Sequence, residues 1–247
     1  MSQVPAAMRA LRVLRFLAGQ PGPVPADRIA REIGMPRSSA YHLLNEMIAE
    51  GFVVHVADDR GYGLGLAAFE AGSGFARQEP LQRLARRPLA ELSTGIRQTA
   101  HLAVMHGRDV LYVIEQRYPG RPMLVTDVGV RLPAHLTASG RAILAGLPKS
   151  QVRALFPGRA AFVNRTGAGP ASLAALQSVL GETRARGYAV EEGEVTPGLA
   201  SVAVAVRDHN RYPVAAVTVT YAGDAGQPAL AARLTATADA ITRRIGG

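Results

Sequence analysis

The chain has 247 residues, of which 48% are hydrophobic and none is cysteine, and its formal net charge is +9. The lack of cysteine excludes disulfides, cysteine nucleophiles and thiolate metal sites. No stretch approaches the roughly 20 apolar residues of a membrane-spanning helix. The first residues lack a secretory signal core, so we expect a cytoplasmic protein of one large domain or two small ones.

The first predicted elements are three helices. Residues 6–18 repeat apolar side chains at helical spacing, and a Gly- and Pro-rich stretch ends that helix. Residues 26–45, ADRIAREIGMPRSSAYHLLN, predict two short helices separated by the turn Gly34-Met35-Pro36. Pro36 suits the first turn of the third helix, where its missing N–H is not needed.

The third helix has one apolar and one polar face. Its apolar positions recur at i, i+3, i+4, i+7 and i+8, and small polar or basic side chains lie opposite. Such a helix fits the major groove of B-DNA. The candidate DNA contacts are Arg37, Ser38, Ser39, Tyr41, His42 and Asn45.

A β-hairpin wing follows the helices. Residues 51–56 and 61–64 have strand character, and Ala57-Asp58-Asp59-Arg60 forms a polar turn whose Arg60 is a further candidate DNA contact. Together these elements predict a winged helix-turn-helix, domain 1–66. The alternative is an ordinary helical hairpin with a solvated outer face, but that face lacks the Glu/Lys pairs typical of a merely soluble helix.

Charge supports DNA binding only locally. Residues 1–80 hold eight arginines and eight acidic residues, but residues 1–40 hold six arginines against two acidic residues. Overall charge is therefore weak support for a nucleic-acid partner. We expect modest affinity per protomer, and hence a dimer or tetramer on paired half-sites.

The remaining elements predict a linker and a second domain. Residues 67–79 form a linker helix, and residues 80–247 form an α+β domain with an antiparallel sheet. Its expected helices are 80–95, 137–147, 172–187 and 227–245. Its expected strands are 99–106, 110–116, 123–125, 201–207 and 214–221.

Two segments of this second domain could hold a ligand. Residues 131–142, RLPAHLTASGRA, place small residues at a helix start, which favours either a site for a small polar ligand or plain capping by Thr137 or Ser139. In the predicted strand 201–207, Ser201 shares a face with Ala203 and Ala205. In the next predicted strand, 214–221, Thr218 and Thr220 share a face. These could line a pocket, although threonine also simply favours strands.

Catalytic and metal patterns are weak. A Ser-His-acid set from Ser139 or Ser201, His135 and Glu191 has no nucleophile elbow around either serine. The histidines lack metal-ligand spacing, and GYGLG resembles a phosphate loop only in its glycines. We expect no enzyme, cofactor, metal or membrane partner.

The whole chain resembles the isocitrate lyase regulator (IclR) family of bacterial transcription factors. The match is carried by IAREIGMPRSSAYHLLNEMIAEGFV, GYGLG, LPAHLTASGRAILAGLP, and RGYAVEEGEVTPGLASVAVAV with AAVTVTYAG. The resemblance implies a GAF/PAS-like C-terminal effector domain, dimers or tetramers, palindromic operators and small metabolite effectors, often organic or aromatic acids. The family's effector positions fall at Leu124, Leu132, Ala138, Ser139, Glu191, Leu199, Ser201, Thr218 and Thr220.

The chain differs from the family pattern at four positions. His42 stands where arginine is usual, Ala138 where glycine or serine is, Ser201 where cysteine is, and Glu191 where aspartate is. An ionised Glu191 would repel a carboxylate, which favours a neutral or cationic effector. The leading hypothesis is a ligand-responsive regulator; the alternatives are an enzyme and a constitutive architectural DNA-binder.

Overall fold

The computed structural model describes residues 4–78, 80–120, 125–222 and 226–246. The chain divides into two compact units, Met1–Glu79 and Pro80–Gly247. Within the described ranges, no helix combines the length and the apolar character that crossing a membrane requires.

The N-terminal unit is a three-helix core with a β-hairpin. Its elements are α1 (Pro5–Ala18), α2 (Ala26–Ile33), α3 (Arg37–Ala49), β1 (Val53–Val56), β2 (Gly61–Leu64) and α4 (Leu66–Gln78). Strands β1 and β2 pair antiparallel, and Val24 adds a bridge to Tyr62. The apolar faces of α1, α2 and α3 bury residues such as Val13, Ile29 and Leu44 in one core.

Local backbone chemistry sets the turns of this unit. Gly34 ends α2 with φ +70°, a left-handed conformation that glycine adopts without strain. Pro36 is the N-cap residue of α3 and not part of its first turn, which corrects the sequence-based placement by one residue. Gly65 lies so close to the chain at Gly51 that a Cβ atom would stand 2.2 Å from the Gly51 carbonyl oxygen.

The C-terminal unit contains a six-stranded sheet and helices. Its elements are α5 (Pro80–Ile96), β3 (Ala100–His106), β4 (Asp109–Gln116), β5 (Arg131–Pro133), α6 (Ala138–Gly146), α7 (Lys149–Leu155), a 3-10 turn (Arg159–Ala161), α8 (Leu173–Arg186), β6 (Ala189–Glu192), β7 (Leu199–Arg207), β8 (Pro213–Ala222) and α9 (Gln227–Arg244). The strand order is β5-β4-β3-β8-β7-β6, and each neighbouring pair is antiparallel.

Helices cover both faces of the sheet. One face packs on α5 and α9 through the valines and leucines of the strands, including Val202 and Val217. The other face packs on α6, α7 and α8 and carries smaller side chains such as Ala203 and Ala216. The period of two in a strand places Val202 and Ser201 on opposite faces, as the sequence predicts.

The predicted α+β class is confirmed, and most predicted helices and strands agree with the structure within a few residues. Four short elements of the described chain were not predicted: β5, α7, the 3-10 turn and β6. Each has seven residues or fewer, and β6 ends in two glutamates, which are depleted in strands. For the expected strand at residues 123–125, residues 123 and 124 lie outside the described ranges, and Val125 lies in a bend.

Candidate functional site

The polar face of α3 is available to a partner. Ala40, Leu44 and Met47 are buried against the core, which turns the opposite face of the helix outward. Arg37, Ser38, Tyr41, His42 and Asn45 are exposed, and Ser39 is half-buried. The structure therefore places all six α3 residues singled out by the sequence on or beside one solvent-facing surface.

Arg37 begins this surface with a fixed cation. Its guanidinium donates to the Tyr41 hydroxyl at 3.4 Å and lies 3.6 Å from the Asp27 carboxylate of α2. The hydrogen bond with Tyr41, followed by the charge of Asp27, raises the pKa of Arg37 above its ordinary value. The first turn of α3 therefore presents a permanent positive charge.

Arg60 lies at the tip of the wing. It is exposed and has φ +46°, a left-handed conformation that closes the turn between β1 and β2. The rings of His55 and Tyr62, which pair across the hairpin, lie with their centroids 4.9 Å apart and their planes tilted by 57°. The hairpin thus holds a second exposed cation within the N-terminal unit.

A cavity opens in the C-terminal unit between the sheet and α6. It encloses about 370 Å³ of empty space, part of it open to solvent. Its walls come from β4, β6, β7, β8, the start of α6 and the segments 125–126 and 195–199. The lining residues are Tyr112, Val125, Thr126, Thr137, Ala138, Glu191, Val195, Thr196, Leu199, Ser201, Thr218 and Thr220.

The cavity gathers six of the nine predicted effector positions: Ala138, Glu191, Leu199, Ser201, Thr218 and Thr220. Two others do not line it. Leu132 pairs with Val110 in the sheet, and its side chain is buried in the core beneath α6. Ser139 is fully buried, and its hydroxyl shares a hydrogen bond of 3.2 Å with the Tyr112 hydroxyl. Leu124 lies outside the described residues.

The helix start at α6 is capped by its own side chain. Thr137 Oγ1 accepts a hydrogen bond from Gly140 N at 3.0 Å, so one of the free N–H groups of the first turn is satisfied internally. Ala138, the first residue of α6, still faces the cavity. Capping by Thr137 is therefore present, and Ala138 remains part of the cavity wall.

Glu191 is a buried carboxyl group on the cavity wall. The residue is 3% exposed, and its Oε1 accepts from Val195 N at 3.0 Å. Burial raises the pKa of Glu191 above its ordinary value, and the hydrogen bonds from Val195 and Ser201 partly offset that rise. Ser201 also shares a hydrogen bond of 3.0 Å with Thr220 on the neighbouring strand.

Tyr112 forms part of the cavity floor as a neutral phenol. Burial raises the pKa of Tyr112 to about 12, an effect that the hydrogen bond with Ser139 opposes and the Glu191 charge reinforces. Tyr112 also meets the His101 ring edge-on at 5.5 Å. The sequence pattern did not single out Tyr112, because an aromatic residue in a strand is ordinarily a core residue.

Arg141 does not line the cavity, but it connects the segments that form the cavity wall. It is 3% exposed and donates to His135 O at 2.9 Å, to Val190 O at 2.8 Å and to Glu194 Oε1 at 2.8 Å. This one side chain therefore ties α6 to β6 and to the loop that carries Val195. The sequence offers no periodic signal for it, because its partners are distant along the chain.

Thr126 lies in the segment 125–126 of the cavity wall and is held there by a hydrogen bond to His101. Its hydroxyl lies 3.0 Å from His101 Nε2, which is 3.8 Å from Glu115. Arg117 pairs with Glu115 at 2.9 Å and with Asp127 at 3.3 Å. Hydrogen bonding by His101 and Arg117 lowers the pKa of Glu115 to about 2, against the opposing effect of burial. Sequence reasoning missed this network.

The serine-histidine arrangement is not assembled. His135 Nε2 bonds to Val163 O, Ser139 bonds to Tyr112, and Ser201 bonds to Thr220. Neither serine is held by the imidazole that would have to activate it. Within the described ranges, no cluster of three or more His, Cys, Asp or Glu side chains could hold a metal ion.

Comparison with known proteins assigns the family. Residues 6–57 match the IclR helix-turn-helix domain, and residues 75–243 match the bacterial transcriptional regulator IclR C-terminal domain. The chain belongs to the IclR family. It is 33% identical to the glycerol operon regulatory protein of Streptomyces coelicolor over 212 residues, which span 86% of this chain and 82% of that one.

Solved structures agree with the IclR assignment. The crystal structure of Pseudomonas aeruginosa HmgR is 30% identical, has a TM-score of 0.80, and the match covers 99% of this chain and 100% of that one. An IclR homologue from Microbacterium hydrocarbonoxydans, solved with 4-hydroxybenzoate, has a TM-score of 0.82 at 20% identity over 97% and 98% of the two chains, which supports the shared fold. As an IclR-family member, the protein is a DNA-binding transcriptional regulator with a C-terminal effector domain.

Proposed function

We propose that the protein binds a palindromic operator through α3 and the wing, and that a small metabolite in the C-terminal cavity controls this binding. The carrying observation is the polar face of α3, which is exposed while its apolar face is fixed in the core. An effector shifts DNA affinity only if it binds one arrangement of the assembly more tightly than another.

Individual side chains support specific DNA contacts. Asn45 matches the donor and acceptor pattern of adenine in the major groove, and Arg37 matches guanine or a phosphate. Ser38 and Ser39, at the start of α3, are suited to phosphate contacts. In this proposal, Arg60 at the tip of the wing contacts the sugar-phosphate backbone of the DNA. His42 supplies one polar contact and no permanent charge where the family usually has arginine.

Exposed apolar residues support self-association. Leu11 of α1 is 63% exposed, and Leu66 and Phe69 of α4 are 70% and 71% exposed. Large apolar side chains on two helices of one small unit favour an interface between copies. We propose a homodimer, with assembly into a homotetramer, so that paired recognition helices meet paired half-sites.

The cavity supports the sensing role. It combines apolar residues with several convergent hydroxyl groups, which is typical of small-molecule sites. The homologue solved with 4-hydroxybenzoate shows that this family's fold accommodates an organic metabolite. Because the chromosome is the proposed target, we place the protein in the cytoplasm, and we assign it no catalytic reaction.

Operator binding by α3 variants tests the proposal. An operator is selected from random duplexes, and its Kd is measured for the wild type, Arg37→Ala and Asn45→Ala by fluorescence anisotropy. We expect each variant to bind about 5- to 150-fold more weakly, which corresponds to about 1–3 kcal/mol per base contact. Arg153→Ala, an exposed arginine of α7, controls for the loss of one positive charge.

The outcome separates the proposal from its alternatives. Wild-type affinity in both α3 variants would refute the assigned face. Binding that is strong, salt-sensitive and indifferent to sequence would instead favour an architectural DNA-binder. Turnover of a metabolite by the purified protein would favour an enzyme.

A further inference from the structure

The charge of the cavity wall restricts the effector, if the cavity is the sensor as proposed above. Among the described lining residues, Glu191 is the one carboxylate, and no lysine, arginine or histidine accompanies it. In the described part of the wall, a ligand with a carboxylate or phosphate group would therefore face an acidic side chain and no basic side chain. When Glu191 is ionised, like charges in this buried site are strongly unfavourable.

The nearest buried cation is already engaged. The guanidinium of Arg141 donates hydrogen bonds to two backbone carbonyls and to the Glu194 carboxylate, at 2.8–2.9 Å. Redirecting it to a ligand would leave those groups unpaired, which is costly in a buried setting. Arg141 thus holds the walls together and does not neutralise a ligand in the cavity.

Two hydroxyl groups of the wall offer only acceptors to a ligand. Thr218 donates to Val202 O at 3.3 Å, and Thr137 is oriented toward Ala134 O at 3.4 Å. A hydroxyl that has donated its hydrogen presents only lone pairs. Glu191 uses one carboxyl oxygen for Val195 N, and its other oxygen accepts as well when the group is ionised.

Carboxylates and phosphates only accept hydrogen bonds, whereas each hydroxyl of a polyol donates one and accepts others. We propose that the effector is a small, uncharged polyhydroxy molecule, one hydroxyl of which donates a hydrogen bond to Glu191. The remaining hydroxyls meet the threonines of β8.

Matched ligand pairs test this assignment. Isothermal titration of the full chain, in glycerol-free and mildly alkaline buffer, compares glycerol with glycerate and erythritol with erythronate, so that each pair differs by oxidation of one terminal carbon. The variant Glu191→Gln removes the charge and keeps an oxygen acceptor for Val195 N. Glu192→Gln is the control, because Glu192 is an adjacent, exposed residue with the same side chain.

We expect a polyol to bind wild type and Glu192→Gln at least about tenfold more tightly than its acid. In Glu191→Gln, the affinity for the acid should rise at least about tenfold, so that the preference for the polyol becomes smaller or reverses. An acid that binds wild type as well as its polyol, binding of neither polyol, or an unchanged ratio in Glu191→Gln would each overturn the assignment.

This test does not depend on operator binding. If the protein binds its operator and releases it with a carboxylate effector, the proposed regulator stands and the polyol assignment fails. If neither α3 variant affects operator binding but a polyol still binds the cavity, the assignment stands and the DNA-binding face is wrong.

Discussion

Replacing Arg141 with methionine tests whether this buried side chain holds the effector domain together. Methionine keeps much of the aliphatic stem and removes the guanidinium, so the change isolates its polar contacts. The loss leaves two backbone carbonyls, His135 O and Val190 O, without their donor, and leaves the Glu194 carboxylate without its cation. Arg141 and Glu194 are only 4% and 14% exposed at their side chains, so water replaces these contacts poorly.

The expected cost follows from that geometry. Removing one partner of a buried ion pair destabilises a protein by about 3–5 kcal/mol, and the orphaned carbonyls contribute to that figure. For a unit of this size, each kcal/mol lowers the melting temperature by about 2–4 °C, so we expect a fall of about 6–20 °C. Glu194→Gln should cost less, because its amide oxygen can still accept from Arg141.

Thermal unfolding followed by circular dichroism measures both variants and the double variant. The double variant should be less destabilised than the sum of the two single changes, because both disrupt one contact. A melting temperature within about 2 °C of wild type for Arg141→Met, or full additivity, would refute the reasoning.

Two further predictions concern single positions. Burial raises the folded-state pKa of Glu191 above its ordinary value of 4.5, so the folded chain holds more protons there and the free energy of unfolding falls as pH rises from the lower pKa to the raised one. Glu191→Gln should therefore raise the melting temperature more near pH 8 than near about pH 4, and an equal gain at both would contradict this. Gly65→Ala should lower the free energy of unfolding by about 1–3 kcal/mol, because its Cβ would stand 2.2 Å from Gly51 O. Gly63→Ala is the control and should be tolerated, because the nearest atom to its Cβ would be 3.8 Å away. Equal melting temperatures for the two variants would show that the close approach at Gly65 does not affect stability.

Periodic patterns predicted the elements that present the sites. The apolar repeat of α3 identified its outward face, since one stripe of a helix must be buried. The alternation in β8 placed Thr218 and Thr220 on one face of that strand, because successive side chains in a strand point to opposite sides. That Ser201 of β7 lies on the same face of the sheet follows from the register, in which Ser201 pairs with Thr220. Both patterns are local, so each is visible in a single stretch of sequence.

Contacts between distant segments could not be read in this way. The small residues of β7 were expected to leave room beside the sheet, but the sequence did not show that they border two separate spaces. Ser201 lies on the wall of the cavity, whereas Ala203 and Ala205 line another opening with Ala142 of α6. Tyr112 of β4 shares a hydrogen bond with the hydroxyl of Ser139 in α6. Such pairings depend on strand order and helix placement, which local periodicity does not specify.

The most direct test of the central claim measures whether the cavity controls the DNA-binding unit. For a compound that raises the melting temperature of the protein, operator Kd is determined with and without it for the wild type and for Thr220→Phe, which places a bulky ring at a half-buried position of the cavity wall. We predict a change of about fivefold or more in the wild type and an unchanged Kd in the variant, which still binds DNA. No change in the wild type, or the same change in both proteins, would contradict the account.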